Sequence, residues 1–277
     1  MQYTHISAKQ PLLDLHLGEL WQYRGLVWLF TRRSFVVSYT QTVLGPLWLV
    51  ISPLLTSIVH VVLFGNIAKL GTDGVPQLLF YLTGNAMWSY YSACVTKSAS
   101  TFTSNASLFG KVYFPRLVVP LSDVLGNILR FFIQMLPALV LLVYYGVNGI
   151  VRPRPAALLL VPALLLLLGL MGMGLGIVIS SLTIKYRDLN VLVGFGMSLW
   201  MYATPVVYPL STLSGRIRSL VLLNPVTQPM ELFRWAVLGV GSVSLPALGG
   251  CVLAALALAF GGMVIFCRVE RTFLDTV

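Results

Sequence analysis

The chain has 277 residues, 57% of them hydrophobic and only 9% charged. Soluble domains carry about a quarter charged residues, so an ordinary water-soluble fold is excluded, and one membrane domain accounts for the length. The net charge of +10 fits Lys and Arg held in cytoplasmic loops against anionic lipid and does not point to nucleic acid.

In chain order, residues 1–15 are polar and mixed, with no cleavable signal peptide, so the first apolar helices are expected to act as insertion signals. Residues 16–41 read as an amphipathic helix. Leu17, Leu20, Trp21, Leu26, Val27, Trp28, Leu29 and Phe30 supply its apolar surface, and Arg24, Arg32 and Arg33 interrupt it. That mixture suits the membrane interface. Domain boundaries follow: residues 1–42 as cytoplasmic N-terminus and interface helix, 43–277 as the transmembrane domain.

Six apolar stretches approach the roughly 20 residues that cross hydrocarbon. They are 43–65, with Pro46 and Pro53; 76–96, rich in aromatic residues; 117–146; 156–182; 190–208; and 245–267. A polar stretch, 97–116, follows the second, and a tight polar turn around 185–188 follows the fourth. Residues 209–244 are too polar for a span and too apolar for a free loop. Pro205, Pro209, Pro225 and Pro229 punctuate the approach to this region and the region itself, and Asn224-Pro225 marks a break. Thr227–Leu238 reads as a short helix with Pro229 and Glu231 in its first turn. Two short helices that dip into the outer leaflet and return are expected, since irregular backbone at that depth needs protein or water to satisfy it. The fold class is therefore all-α integral membrane, with six transmembrane helices, an N-terminal amphipathic interface helix and short re-entrant helices before the last span.

With the N-terminus inside, eleven Lys and Arg fall on one side (Lys9, Arg24, Arg32, Arg33, Lys97, Lys111, Arg116, Lys185, Arg187, Arg268, Arg271) and six on the other (Lys69, Arg152, Arg154, Arg216, Arg218, Arg234). This bias places both termini in the cytoplasm. Arg130 remains within a span.

Motifs for bond chemistry are absent from the sequence. It has no G-x-x-x-x-G-K-[ST] phosphate loop and no dinucleotide fingerprint. His5, His16 and His60 form no metal cluster, and Cys94, Cys251 and Cys267 lack ligand spacing. No catalytic residue, metal or cofactor is expected. Asp123, Asn127, Arg130 and Gln134 are four, three and four apart, on one helical face. They form either part of a conduit wall or a structural polar seam. Gly169, Gly172, Gly174 and Gly176 allow close helix approach, for packing within the chain or for a gap between moving helices. Tyr39, Trp48, Trp88, Tyr90, Tyr91, Trp200, Tyr202 and Tyr208 fit membrane interfaces or rings that stack on sugar faces.

Several strings resemble one family. Gln41-Thr42-Val43-Leu44-Gly45-Pro46-Leu47-Trp48 resembles the start of the first span in permeases of type-2 ABC exporters for polysaccharides. Lys111-Val112-Tyr113-Phe114-Pro115-Arg116 with Pro120-Leu121 resembles the segment after their second span, and Lys185-Tyr186-Arg187-Asp188 the turn after the fourth. Thr204-Pro205-Val206-Val207-Tyr208-Pro209, Asn224-Pro225-Val226-Thr227 and Phe233-Arg234 resemble the outer segment before the last span. The resemblance runs from about residue 20 to 268. It implies the membrane subunit of an O-antigen or lipopolysaccharide exporter, similar to teichoic acid and capsule exporters. Such a subunit pairs as a homodimer with two ATPase subunits that bind ATP and Mg, and it moves undecaprenyl-diphosphate-linked polysaccharide across the bacterial inner membrane.

On that reading the substrate-binding candidates are Arg32, Arg33, Tyr39, Trp48, Trp88, Tyr91, Arg130, Trp200 and Tyr202. Coupling to the ATPase falls to Lys111, Arg116, Lys185, Tyr186, Arg187 and Asp188, and the gate to Tyr208, Asn224, Pro225, Glu231 and Arg234. One departure is Ser38-Tyr39-Thr40-Gln41: many relatives have basic residues at the positions of Ser38 and Thr40, which leaves Arg32 and Arg33 for the pyrophosphate. A small-drug or lipid exporter is the alternative transporter. A membrane enzyme for lipid-linked sugars would need a carboxylate or histidine cluster that the sequence lacks.

Overall fold

The computed structural model describes residues 17–39, 43–109, 111–112, 114–183 and 188–274. All regular structure among these residues is helical. In hydrocarbon, a helix satisfies its own backbone hydrogen bonds, which is why apolar runs of this length adopt it.

Helices α1 (Leu17–Gln22) and α2 (Arg24–Tyr39) form the amphipathic N-terminal element. Trp21, Trp28 and Leu29 stand exposed on it, as an interfacial helix requires. The first span, Gly45–Ile67, opens with a tight turn at Gly45-Pro46, continues as α3 (Trp48–His60) and ends in a π-helical turn, Val61–Ile67. Helix α4 (Gln77–Ala99) follows, then α5 (Thr101–Phe109), α6 (Val118–Val147), α7 (Pro155–Leu158) and α8 (Val161–Thr183). The C-terminal part contains α9 (Leu189–Tyr202), α10 (Gly215–Leu223), α11 (Thr227–Val237) and α12 (Leu245–Leu274).

Among the described residues, four helical stretches are long and apolar enough to cross a membrane: Gly45–Ile67, Val118–Val147, Pro155–Thr183 and Leu245–Phe266. The other two expected spans differ in character. Helix α4, with 23 residues, is about 34 Å long at 1.5 Å per residue, but Asn85, Lys97 and its serines lower its hydropathy. Helix α9 is apolar but has only 14 residues. It stops at Tyr202, six residues short of the expected end, because Thr204-Pro205 disfavours helical backbone before the proline ring. The chain then continues as a buried turn, Thr204–Val207. Six spans are consistent with this arrangement.

The polar stretch 97–116 contains a helix the sequence did not announce. In α5, Phe102 stacks on Phe266 of α12 with ring centres 4.7 Å apart, and Phe109 packs against Phe114 at 5.7 Å. Phe30 of α2 meets Phe114 at 5.6 Å. This aromatic cluster ties α2, α5 and α12 at one end of the bundle. The segments 68–76, 148–154 and 203–244 gather at the other, through Ser211 to Asp73 and the Arg154 amide to Ala236 O.

Helix α4 is the centre. Its residues 79–88 are all buried, and it packs against α3, α6, α8, α9 and α11. Glycines make the α4–α8 approach possible. A Cβ at Gly176 would stand 2.5 Å from Ser98 Cβ and from Val95 O, and one at Gly172 would stand 2.9 Å from Cys94 Cβ. One at Gly169 would fall 2.5 Å from Tyr90 Oη, which donates to Leu165 O at 2.8 Å. Gly174 faces the other way, against Leu258 of α12, and Gly262 of α12 in turn meets Gly174 O. The four glycines thus serve packing within the chain.

The second constraint is a buried ion pair. Arg234 is 1% exposed and Glu231 2% exposed, with Arg234 Nη1 3.2 Å from Glu231 Oε1. Arg234 also donates to Val206 O at 2.7 Å and to Tyr208 O at 3.4 Å, and its guanidinium lies 4.0 Å from the Phe80 ring centre. Glu231 Oε2 accepts the Ser242 amide at 2.9 Å. Glu231 lies beyond the first turn of α11, so its carboxylate serves these partners instead of the helix N-terminus. Burial pulls the Arg234 pKa below its usual value, and the Glu231 carboxylate opposes that. The pair staples α11 to the 206–208 turn, to α4 and to the 242–244 strap.

Two stability outcomes follow. Gly176→Ala should lower the melting temperature of the detergent-solubilised protein, since overpacking costs about 1–3 kcal/mol. Gly249→Ala, where nothing lies within 4 Å, should not. Equal melting of the two variants would contradict the close-packed seam. Arg234→Met strands the Glu231 carboxylate and should cost about 3–5 kcal/mol, with partial recovery in the Glu231→Gln/Arg234→Met double variant. A single variant that melts with the parent would remove the staple.

Candidate functional site

A polar groove of about 430 Å³ runs beside the central helix. Asn85, Ser89, Ser92 and Thr96 of α4 line it at spacings of four, three and four, one helical face. Ser52 and Thr56 face them from α3, Gln134 from α6 and Met201 from α9, with Trp88 in the wall. Hydrocarbon disfavours such groups unless they are satisfied, and the helices satisfy them locally. Thr96 Oγ1 donates to Ser92 O at 2.9 Å and Thr56 Oγ1 to Ser52 O at 3.0 Å. Their oxygen lone pairs remain as acceptors. Asn85 Nδ2 donates to Ser57 Oγ at 2.9 Å and joins α4 to α3. The groove is therefore an uncharged, hydroxyl-rich surface within the spans, suited to a neutral hydroxylated ligand.

Three of the predicted aromatic residues meet one another, and of these Trp88 lines the groove. Trp88, Tyr91 and Trp200 have ring centres 5.7–6.4 Å apart. Tyr91 is fully buried behind the other two. Tyr202 packs on Phe64 at 6.4 Å, and Phe64 leads through His60 to Tyr81. Trp48 stands apart, exposed at the start of α3. Tyr39 ends α2, and its side chain falls outside the described residues.

The Asp123 stripe divides. Its first three members form an inter-helix seam. Asp123 Oδ1 lies 3.7 Å from Lys97 Nζ of α4 and accepts from Ser34 Oγ of α2 at 3.5 Å. Asn127 Nδ2 reaches Cys94 Sγ at 3.7 Å. Arg130 donates to Asn127 Oδ1 and to Ser34 O, both at 3.4 Å. Gln134, one turn further, faces the groove.

The paired candidates Arg32 and Arg33 are separated. Arg33 lines a larger cavity together with Lys97, Lys111 and Asp123. Arg32 lines a smaller apolar pocket with Trp28, Phe35 and residues of α6. Lys111 is exposed, whereas Arg116 is buried with its guanidinium 5.3 Å from the Phe109 ring centre. Asp188 is exposed at the start of α9, and Lys185, Tyr186 and Arg187 lie outside the described residues.

At the opposite end, Asn224 fastens the α10–α11 turn to the end of α9. Its Nδ2 donates to Thr204 Oγ1 at 2.8 Å and to Ala203 O at 3.3 Å, while its Oδ1 accepts the Val226 amide at 3.1 Å. Pro225 sits within this turn. Tyr208 Oη donates to Tyr202 O at 3.1 Å. With the Glu231–Arg234 staple, the segment before the last span forms one connected cap.

The groove residues Ser52, Thr56, Asn85, Ser89, Ser92 and Thr96 were not among the sequence candidates. The periodic signal was present, in the same four-three-four spacing that marked the Asp123 stripe. Small hydroxyls within a span read as neutral, and only their convergence with α3 and α6 makes them a surface.

Residues 25–238 match the ABC-2 type transporter family model. The O-antigen export system permease protein RfbA of Myxococcus xanthus is 32% identical over 218 residues, 78% of this chain and 81% of that protein. An RfbA of Klebsiella pneumoniae, also named an O-antigen export system permease, is 28% identical over 267 residues, 95% of this chain and 98% of that protein. The capsule polysaccharide export inner-membrane protein CtrC of Neisseria meningitidis serogroup B is 23% identical over 269 residues, 93% of this chain and 97% of that protein. An all-helical bundle with this groove and a match over most of its length has one assignment: the chain belongs to the ABC-2 type transporter family.

Proposed function

We propose that this chain is the transmembrane permease subunit of an ATP-driven exporter that moves undecaprenyl-diphosphate-linked, O-antigen-type polysaccharide from cytoplasm to periplasm. The observation that carries this reading is the near full-length similarity to O-antigen export permeases. The groove supports it chemically. Sugar hydroxyls are matched by the uncharged hydroxyls of Ser52, Thr56, Ser92 and Thr96 and the amide of Gln134. A route lined by hydroxyls and without fixed charge lets a polymer slide, since no single contact is strong. Capsule polysaccharide is the second reading, favoured by the similarity to CtrC.

The chain works as a homodimer, and the second copy closes the groove into a conduit. Two separate ATPase subunits hold ATP and Mg. Lys111 and the turn Lys185-Tyr186-Arg187-Asp188 form the docking elements that convert nucleotide-driven closure into rigid-body motion, whereas Arg116, buried against Phe109, packs the segment behind Lys111 and does not itself dock. The protein resides in the bacterial inner membrane with both termini in the cytoplasm. The eleven-to-six bias of Lys and Arg supports that orientation, with the 203–244 cap as the periplasmic gate.

Gene deletion tests the function. Surface polysaccharide should disappear while lipid-linked polymer accumulates inside; unchanged surface glycan would overturn the proposal. Complementation refines it. Ser92→Leu fills the groove and should reduce restored polymer about 5- to 30-fold, the scale of losing one to two kcal/mol of fit. Asp188→Ala should keep ATP hydrolysis and lose export, and normal export in both variants would remove the groove and the turn from the mechanism.

A further inference from the structure

Helix α10 differs from the rest of the cap. None of its nine residues is buried, whereas the next helix, α11, is buried almost throughout. Ile217, Leu220 and Leu223, spaced by three, stand 62–79% exposed along one side. Arg216 and Arg218, both exposed, flank the start of that stripe. The sequence has no carboxylate between Asp188 and Glu231, and Glu231 is committed to Arg234 and Ser242. The two arginines also stand near the N-terminus of α10, where the helix dipole disfavours a cation, so they do not serve the helix itself. The depth of α10 is set by its fastenings. Before it, Ser211 bonds to Asp73. After it, Asn224 donates to Thr204 Oγ1 at 2.8 Å and to Ala203 O at 3.3 Å, at the end of α9. Helix α9 starts at the exposed Asp188 and has only 14 residues. That is about six fewer than a crossing requires, so its cap end lies roughly 9 Å inside the interface. An interfacial helix buries its apolar face by about 5–10 Å, and α10 is tied at that depth.

We infer that α10 binds anionic phospholipid of the surrounding bilayer and thereby anchors the cap end of α9 in the headgroup layer. The lipid phosphate accepts from Arg216 and Arg218, and Ile217, Leu220 and Leu223 sit among the acyl chains. A soluble anion satisfies the arginines and leaves the apolar stripe bare. A second copy brings the same cap, whose exposed Lys69, Arg152, Arg154, Arg216 and Arg218 stand against one exposed carboxylate, Asp73, among the described residues; like charges disfavour that pairing. An anionic phospholipid answers the charge and the stripe together. The anchor reaches the groove by a short path: Asn224 holds Ala203 and Thr204, and Met201, one turn of chain away, lines the groove. The inference concerns bilayer lipid and does not rest on the export reading.

The test places the photo-crosslinking residue p-benzoylphenylalanine at Leu220 of the full-length chain, in nanodiscs of phosphatidylcholine and phosphatidylglycerol in equal parts. Mass spectrometry reads the adducts formed on illumination. Lipid adducts should dominate, with phosphatidylglycerol enriched over its bulk share. The attraction of one basic residue to an anionic surface is worth about fivefold. Arg216→Gln and Arg218→Gln should therefore each lower the enrichment by up to about that factor, and the double variant should return it to the bulk ratio. Salt at about 1 M should do the same to the parent. Phosphatidylglycerol should also raise the melting temperature of the parent over that in phosphatidylcholine alone, and raise it less in the double variant. Three results would overturn the inference: adducts chiefly to a second copy or to another protein when the same probe is illuminated in native membranes, a bulk lipid ratio in the parent, or an enrichment that survives in the double variant. Surface polysaccharide judges the export reading and the adduct ratio judges this helix, so either can fail alone.

Discussion

Helices α4 and α8 approach so closely that Gly172 and Gly176 lie against the backbone and β-carbons of Val95, Cys94 and Ser98. In a bilayer such contact replaces the hydrophobic effect, because lipid tails are as apolar as the side chains they would leave. The contact seals one side of α4 and fixes its rotation. Its opposite side, carrying Asn85, Ser89, Ser92 and Thr96, is thereby turned to α3 and α6. The groove is thus a consequence of the glycine seam: a helix free to rotate would present hydroxyls to lipid and lose the surface they form together.

The same economy governs the charged groups. Each of the buried or half-buried ions described has partners from another segment of the chain: Arg234 on the 206–208 turn, Glu231 on Ser242, Asp123 on α4 and α2. The two clusters differ in kind. The Glu231–Arg234 pair is almost solvent-free and multiply bonded, so it behaves as a rigid fastening. The Asp123–Lys97 pair is longer, partly exposed and open to a cavity. One end of the bundle is tightly fastened, and the other more loosely.

The two ends are joined through the central helix. A shift of α5 would reach the groove through α4, which is buried along residues 79–88. The cap at the far end is tied to α4 by Arg234 over Phe80 and by the 206 carbonyl against Gly84. A displacement of α4 therefore acts on the cap, the groove wall and the cationic cavity together.

Much of the architecture was legible in the sequence, because apolar length, interfacial Trp, the basic-residue bias and proline breaks act locally. Those signals place the spans, the interface helix and the short helices before the last span. They missed α5, since its order comes from Phe102 on Phe266, residues 164 positions apart. They overran α9 because apolar composition continued past the proline that ends the helix. The site was legible only in its types of residue. Arg32 and Arg33 look equivalent in one dimension and face different pockets in three, and one stripe from Asp123 to Gln134 serves both a seam and a groove. The sequence alone determined that this chain is a multi-pass membrane protein and located four long apolar helices, because hydrocarbon reads length and polarity. Only the tertiary structure decided which polar groups meet, because that depends on how each helix is rotated, and here glycine contacts and buried ion pairs set the rotation.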